Sequence, residues 1–121
     1  RGMKAIIAIA GGAAHLPGVA ASHTTIPVIG IPVETNIAGG LDSILSILQM
    51  PAGIPVGTMA SGKSGGTNAA LFALSIISVS DNAIADKISS YRKKIEKKIE
   101  EKNKVIKEAG LMNYIKTLEG K

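Results

Sequence analysis

A chain of 121 residues, 45% of them apolar, is long enough to bury one core and lies far from the polar, highly charged composition of a disordered segment. The absence of cysteine excludes disulfides, thiolate catalysis and zinc–sulfur sites, and with Phe72, Tyr91 and Tyr114 as the only aromatics the core must come from Ile, Val, Leu, Ala and Met. The net charge of +5 does not mark a nucleic-acid binder: ten of the 14 basic residues lie between Lys87 and Lys116, interleaved with Glu96, Glu100, Glu101 and Glu108 as on a solvated helix face, and no aromatic platform accompanies them.

Residues 1–4 (RGMK) and the apolar run behind them have the outline of a signal peptide, and no apolar run reaches the ~18 residues of a membrane span. The run passes directly into Gly11-Gly12-Ala13-Ala14-His15, the punctuation of a strand end. Residues 5–10 (AIIAIA) therefore read as a buried strand, as do 27–33 (PVIGIPV) and 54–60 (IPVGTMA). Each is short, apolar rather than alternating, and bounded by Gly or Pro, the pattern of parallel strands covered on both faces. Helical patterns follow each strand: 15–23 (HLPGVAASH), 41–49 (LDSILSILQ) and 68–77 (NAALFALSII). The second places Leu41, Ile44, Leu45 and Leu48 on one face. The small residues of the first and third point to close packing against the sheet or a neighbouring subunit.

This alternation predicts an α/β fold with a doubly wound parallel sheet over residues 1–80. From Asp81, a good N-cap, one long helix is expected through residue 110, with a narrow stripe of Ile84, Ile88, Tyr91, Ile95 and Ile99 that would lie along its own domain or a partner. Gly110 ends it, and residues 111–121 form a terminal extension with a short helix over 111–118. Three parallel strands with a long helix make a poor free-standing domain, so further strands are expected upstream of residue 1.

Gly57-Thr58-Met59-Ala60-Ser61-Gly62-Lys63-Ser64 satisfies G-x-x-x-x-G-K-[ST], the pattern of a phosphate-cradling loop. Only 57 residues follow Ser64, no apolar strand ending in Asp is among them, and Gly65-Gly66 argues against a helix starting at the lysine. A Gly-rich turn with a surface lysine is the better account. Ala10-Gly11-Gly12-Ala13-Ala14-His15-Leu16-Pro17-Gly18 lies at the C-terminal end of the first strand, where open α/β sheets place their ligands. Its paired glycines would let backbone N–H groups approach an anion. On spacing alone, this reads equally as a ligand loop and as a tight turn in which His15 caps or packs. Residues 49–58 (QMPAGIPVGT), stiffened by Pro51 and Pro55, read by themselves as a rigid connection. His15 and His23, with few carboxylates near them, define no metal site, and no pair of carboxylates is spaced for acid–base work.

Taken in order, AGGAAHLPG at 10–18, PVIGIPV at 27–33, GLDSILSILQMPAGIPVGT at 40–58 and GGTNAA at 65–70 resemble the PurE family over about residues 3–94. The resemblance implies a three-layer αβα sandwich with a flavodoxin-like parallel sheet. It also implies interconversion of N5-carboxyaminoimidazole ribonucleotide and 4-carboxy-5-aminoimidazole ribonucleotide, through release and recapture of carbon dioxide. A related branch carboxylates aminoimidazole ribonucleotide directly. The resemblance implies further that a histidine moves the proton, that no metal or organic cofactor takes part, and that the enzyme is a homo-octamer with sites between subunits; a cytoplasmic protein fits the absence of cysteine. Gly11, Gly12, Ala13, Ala14, His15 and Leu16 match the loop that closes over substrate and carbon dioxide, with Gln49, Met50 and Pro51 lining the site from an adjacent subunit. The family's Gly-Ser-x-Ser-Asp turn and its Ser-Ala-His-Arg segment, which carries the catalytic histidine, do not occur here. The chain is therefore expected to be the C-terminal part of such an enzyme, without the proton-transferring histidine. The other reading is a catalytically incomplete, oligomer-forming module. His15 is expected to position the loop or touch the substrate.

Overall fold

The apolar run of residues 28–32 becomes the middle of the fold because each of its five positions has something packed against it. In the computed structural model, which describes residues 2–119, this strand is buried at all five positions. It is β2 (Val28–Pro32), paired in parallel with β1 (Ile6–Ala10) on one side and β3 (Gly57–Thr58) on the other. The register sets Ile7 beside Ile29 and Ile9 beside Ile31. A helix follows each strand: α1 (His15–Ser22), α2 (Leu41–Leu48) and α3 (Gly62–Ser78).

Alternation along β2 builds the layers. Ile29 and Ile31 face one side, where they form the core with Ala69 of α3, flanked by Ala5, Met59, Ala73 and Ile76. Gly30 faces the other side, where Ile47 of α2, Val56 and Pro17 of α1 close over it. Helices thus cover both faces of a parallel sheet, the αβα arrangement expected from the sequence. Full burial of Ile29 and Ile47 contributes roughly 1.5–3 kcal/mol each.

Four expectations need correction. The third strand is confined to Gly57–Thr58, because Pro55 has no N–H to add to the ladder. The first strand is covered on one face only: Ala8 is buried, whereas Ile7 and Ile9, on the face that α3 covers over β2, are 42% and 57% exposed. α2 turns Ser43 and Ile47 inward and leaves Leu41, Leu45 and Leu48 exposed, so the four-residue apolar face read from spacing is not the buried one. Ser43 and Ser46 find their partners in the β1–α1 loop, so hydrogen bonds rather than the apolar stripe decide which side of this helix goes in.

The fourth correction concerns α3, which starts at Gly62 rather than at residue 68 and takes Lys63, Ser64, Gly65 and Gly66 into its first turns. Glycine disfavours a helix by about 1 kcal/mol relative to Ala, but here packing decides. A Cβ on Gly65 would stand 1.6 Å from the carbonyl oxygen of Ala60, so the turn can fold back on the strand exit only without a side chain. This removes one ground against a phosphate loop and supplies a firmer one. Gly57 and Thr58 pair with β2, and the Met59 N–H donates to the Gly30 carbonyl at 2.9 Å, so only a short connection is left and no wrapping loop exists.

The chain divides into two compact units, Arg1–Ala85 and Asp86–Lys121. α4 (Asn82–Ala109) begins as read: the Asp81 carboxylate accepts the Ile84 N–H at 3.1 Å. Along its stripe Ile88 is buried, and Tyr91, Ile95 and Ile99 are progressively more exposed. Gly110 adopts φ +79°, donates its N–H to Ile106 and separates α4 from α5 (Leu111–Glu119). Arg1, Gly120 and Lys121, the ends of the expected segments, lie outside the described residues.

Gly65→Ala should lower the unfolding free energy read from urea titration by about 1–3 kcal/mol, the scale of overpacking. Gly66→Ala, whose Cβ would meet nothing within 4 Å, should raise stability by about 0.5–1 kcal/mol. Equal effects in the two urea titrations would refute the close approach at Ala60.

Candidate functional site

Three loops meet the C-terminal edge of the sheet, and the tightest of them follows β1. The Val33 N–H donates to the Ala10 carbonyl at 3.0 Å, closing the ladder, and the chain then turns so that the Ala14 N–H reaches Gly11 O at 3.1 Å. Gly12 takes φ +65°, which glycine accepts freely. Ala14, the N-cap of α1, also sits in the left-handed region at φ 41° and ψ 47° and is 7% exposed. For a residue with a Cβ this conformation costs about 1–2 kcal/mol, and it persists because the surrounding contacts over-determine it.

The contacts that hold the neighbouring Gly12 come from α2. Ser43 is fully buried, and its Oγ accepts the Gly12 N–H at 2.9 Å. The Ser46 hydroxyl donates to its own helix at Asp42 O (2.7 Å) and lies 3.4 Å from the Gly12 carbonyl oxygen. Three residues apart, the two serines share a face of α2 and reach the two peptide groups that flank the Gly12 Cα, Ser43 at the N–H and Ser46 at the carbonyl. Gly11 is seated against β2's exit: a Cβ there would lie 3.4 Å from both Val33 and Thr35.

The same exit sets the electrostatics. The Thr35 hydroxyl donates to Asp42 Oδ1, and this bond, with smaller help from the Ser43 and Asp42 backbone and the Ser43 hydroxyl, holds the Asp42 carboxyl below its ordinary value against a partial desolvation cost. A negative charge in the first turn of α2 offsets the positive end of that helix. The N-caps of α1, α2 and α3 (Ala14, Gly40 and Ser61) make no side-chain cap bond. The first-turn N–H groups of α1 and α3, with Lys63 exposed in the latter, are therefore the groups at this edge able to receive an anion.

Of the residues singled out from sequence, Gly11, Gly12, Ala13, Ala14, His15 and Leu16 form one continuous turn at this edge, with His15 and Leu16 opening α1 and both exposed. Gln49, Met50 and Pro51 follow the far end of α2. Gln49 is its C-cap, donating to Leu45 O at 2.9 Å, and the Met50 thioether packs over Gly18 of α1. The fold does not bring the two groups together within one chain. His23 caps the end of α1, one helix length from His15, and among the described residues no three His, Asp or Glu side chains cluster. Sequence reading missed Ser43, Ser46 and Thr35. The available signal was a pair of serines three apart in an otherwise apolar helix, LDSILSIL.

A sequence model of the AIR carboxylase family matches residues 1–98. An N5-carboxyaminoimidazole ribonucleotide mutase of Brucella melitensis is 55% identical over 92 residues, covering 76% of this chain and 57% of that protein. One of Pyrococcus horikoshii is 50% identical over 115 residues, covering 95% of this chain and 64% of its own length. A bifunctional purine synthesis protein purC/E of Dictyostelium discoideum is 53% identical over 94 residues, 78% of this chain and 9% of that protein. The chain thus spans less than two thirds of the length of the two mutases it matches.

Thr35→Val should move the Asp42 carboxyl back up toward its ordinary value, read by NMR titration. Because the folded carboxyl is depressed, its contribution is complete above the unfolded value of 3.8 and disappears as pH falls through the folded one. Wild type and variant should therefore differ in stability at neutral pH and converge in acid; a constant difference across that range would rule out the ionised Asp42–Thr35 bond as its source.

Proposed function

The chain belongs to the AIR carboxylase family, and from that we propose that the protein carrying it interconverts N5-carboxyaminoimidazole ribonucleotide and 4-carboxy-5-aminoimidazole ribonucleotide in purine biosynthesis. The observation that carries this reading is the identity of 50–55% to two mutases through the stretch that contains the β1–α1 loop. In this reaction the N5–carboxylate bond breaks, carbon dioxide is held, and a bond to C4 forms as the C4 proton leaves to a histidine and returns to N5. The substrate enters as an anion, and the loop at the sheet edge supports such binding: its backbone is held rigid by α2, and the open N-termini of α1 and α3 lie at the same edge.

Gly11, Gly12, Ala13, Ala14, His15 and Leu16 form the substrate and carbon dioxide loop in this proposal. His15 touches the substrate or positions the loop. The proton-transferring histidine belongs to a Ser-Ala-His-Arg segment that does not occur among these 121 residues. Gln49, Met50 and Pro51 reach a site only across a subunit boundary, which accords with a homo-octamer. Exposed Leu16, Val19, Leu41, Leu45 and Leu48 on the α1–α2 layer supply an apolar face suited to subunit contact. No described helix is long and apolar enough to cross a membrane, and we place the enzyme in the cytoplasm with its ribonucleotide substrate.

Two measurements test these statements. The full-length protein, given N5-carboxyaminoimidazole ribonucleotide without ATP or bicarbonate, should form the C4-carboxylated isomer; turnover of aminoimidazole ribonucleotide with carbon dioxide alone would assign it to the carboxylating branch instead. In sedimentation velocity, Leu45→Glu should convert the octamer to smaller species while changing the stability of the single chain by no more than about 0.5 kcal/mol. An unchanged sedimentation coefficient would remove the α1–α2 face from the interface.

A further inference from the structure

The β1–α1 loop is glycine-rich and carries two left-handed residues, Gly12 and Ala14, so its own sequence does little to hold one conformation. What fixes it lies outside it. Among the described residues, Ser43 is the one polar side chain in the buried class, at 0% exposure. Serine is no better than neutral inside a helix, and the inward-facing neighbour one turn on, Ile47, is apolar. A hydroxyl there needs a partner, and the partner is the Gly12 N–H at 2.9 Å. Every buried side-chain nitrogen and oxygen among the described residues has such a partner.

We propose that Ser43 is a positioning residue for the reaction, holding the Gly12 peptide so that the Gly11–Leu16 loop presents one fixed backbone to the substrate, with Ser46 as the second grip on the Gly12 carbonyl. The proposal rests on the functional reading given above for that loop. The energetics divide the two roles. An apolar side chain of serine's size fills the space equally well, so the fold tolerates the loss of the hydroxyl. The Gly12 N–H, in contrast, loses its only fixed acceptor from α2. The loop then samples several conformations, and the substrate must select one of them, which lowers kcat/KM by the fraction in the competent state. Ser46 holds the carbonyl side more weakly, at 3.4 Å and shared with Asp42 O, so its removal has a smaller effect of the same kind.

The test uses the full-length protein and three variants: Ser43→Ala, Ser43→Thr and, as a control for simple destabilisation of the fold, Ile29→Val in the core on the opposite face of the sheet. Two readouts are taken on each, amide hydrogen exchange at Gly12 and steady-state kinetics with N5-carboxyaminoimidazole ribonucleotide. Ser43→Ala should speed Gly12 exchange about tenfold, the size of one hydrogen bond, and lower kcat/KM by a similar factor. Ser43→Thr, which keeps the acceptor, should restore Gly12 protection and most of the activity. Ile29→Val should lower the melting temperature and leave both Gly12 exchange and kcat/KM within twofold of wild type. Unchanged Gly12 protection in Ser43→Ala, or a parallel loss of kcat/KM in Ile29→Val, would overturn the positioning role. A wild-type protein that forms no product fails the functional reading separately, and Gly12 exchange still decides whether Ser43 holds the loop.

Discussion

The closeness of α2 to the sheet at Gly30 governs the geometry of everything at the C-terminal edge. A Cβ on Gly30 would lie 2.4 Å from Ile47 Cγ2 and 3.0 Å from Val56 Cγ1, so the helix can seat itself only over a strand residue that has no side chain. That contact sets the height of α2, and the height of α2 places Ser43 under Gly12. A bulkier residue at position 30 would lift the helix and carry its serines away from the loop. Stability and site geometry therefore share one contact, in the middle of a buried strand and away from any ligand.

The opposite face repeats the device with a different outcome. Gly65 lets the first turn of α3 fold against the Ala60 carbonyl, which starts the helix directly at the strand exit and sets its N-terminus at the sheet edge. Between them, the two glycines bring helices on both faces up to the same rim. Asp42 compensates the positive end of α2, so the two helix ends that remain uncompensated are the ones flanking the β1–α1 loop and the β3–α3 turn. The positive helix ends at this rim therefore face the gap between layers, not the helix that buttresses the loop.

Much of this architecture was legible in the residues. Short apolar runs closed by Gly or Pro located β1 and β2 to within one residue at each end, because a strand covered by its neighbours leaves an uninterrupted apolar signature. The start of α3 was not legible: local propensity counts Gly65 and Gly66 against a helix, while the contact that requires Gly65 comes from the chain folding back on itself. The inward face of α2 was hidden for a related reason. Leucines on its outer side outnumber the inward Ile47, and periodicity cannot tell a core from a subunit contact. The site divides in the same way. Gly11–Leu16 stood out through paired glycines at a strand end and through family resemblance, whereas Ser43 is an ordinary residue made important by one hydrogen bond across the layer.

The separation of a parallel sheet from a long terminal helix also sets two clocks for folding. α4 closes its hydrogen bonds between residues one turn apart, and helices of that kind relax in about 0.1–1 μs. The sheet has no such local start. Ile6 must find Val28, and Ile29 must find Gly57, each across an intervening helix, and pairing of this non-local kind belongs to the slow end of the folding range. During synthesis, β2 emerges before the strand that will cover its second edge. For that interval its five apolar positions and the unpaired backbone of one edge form an aggregation-prone surface.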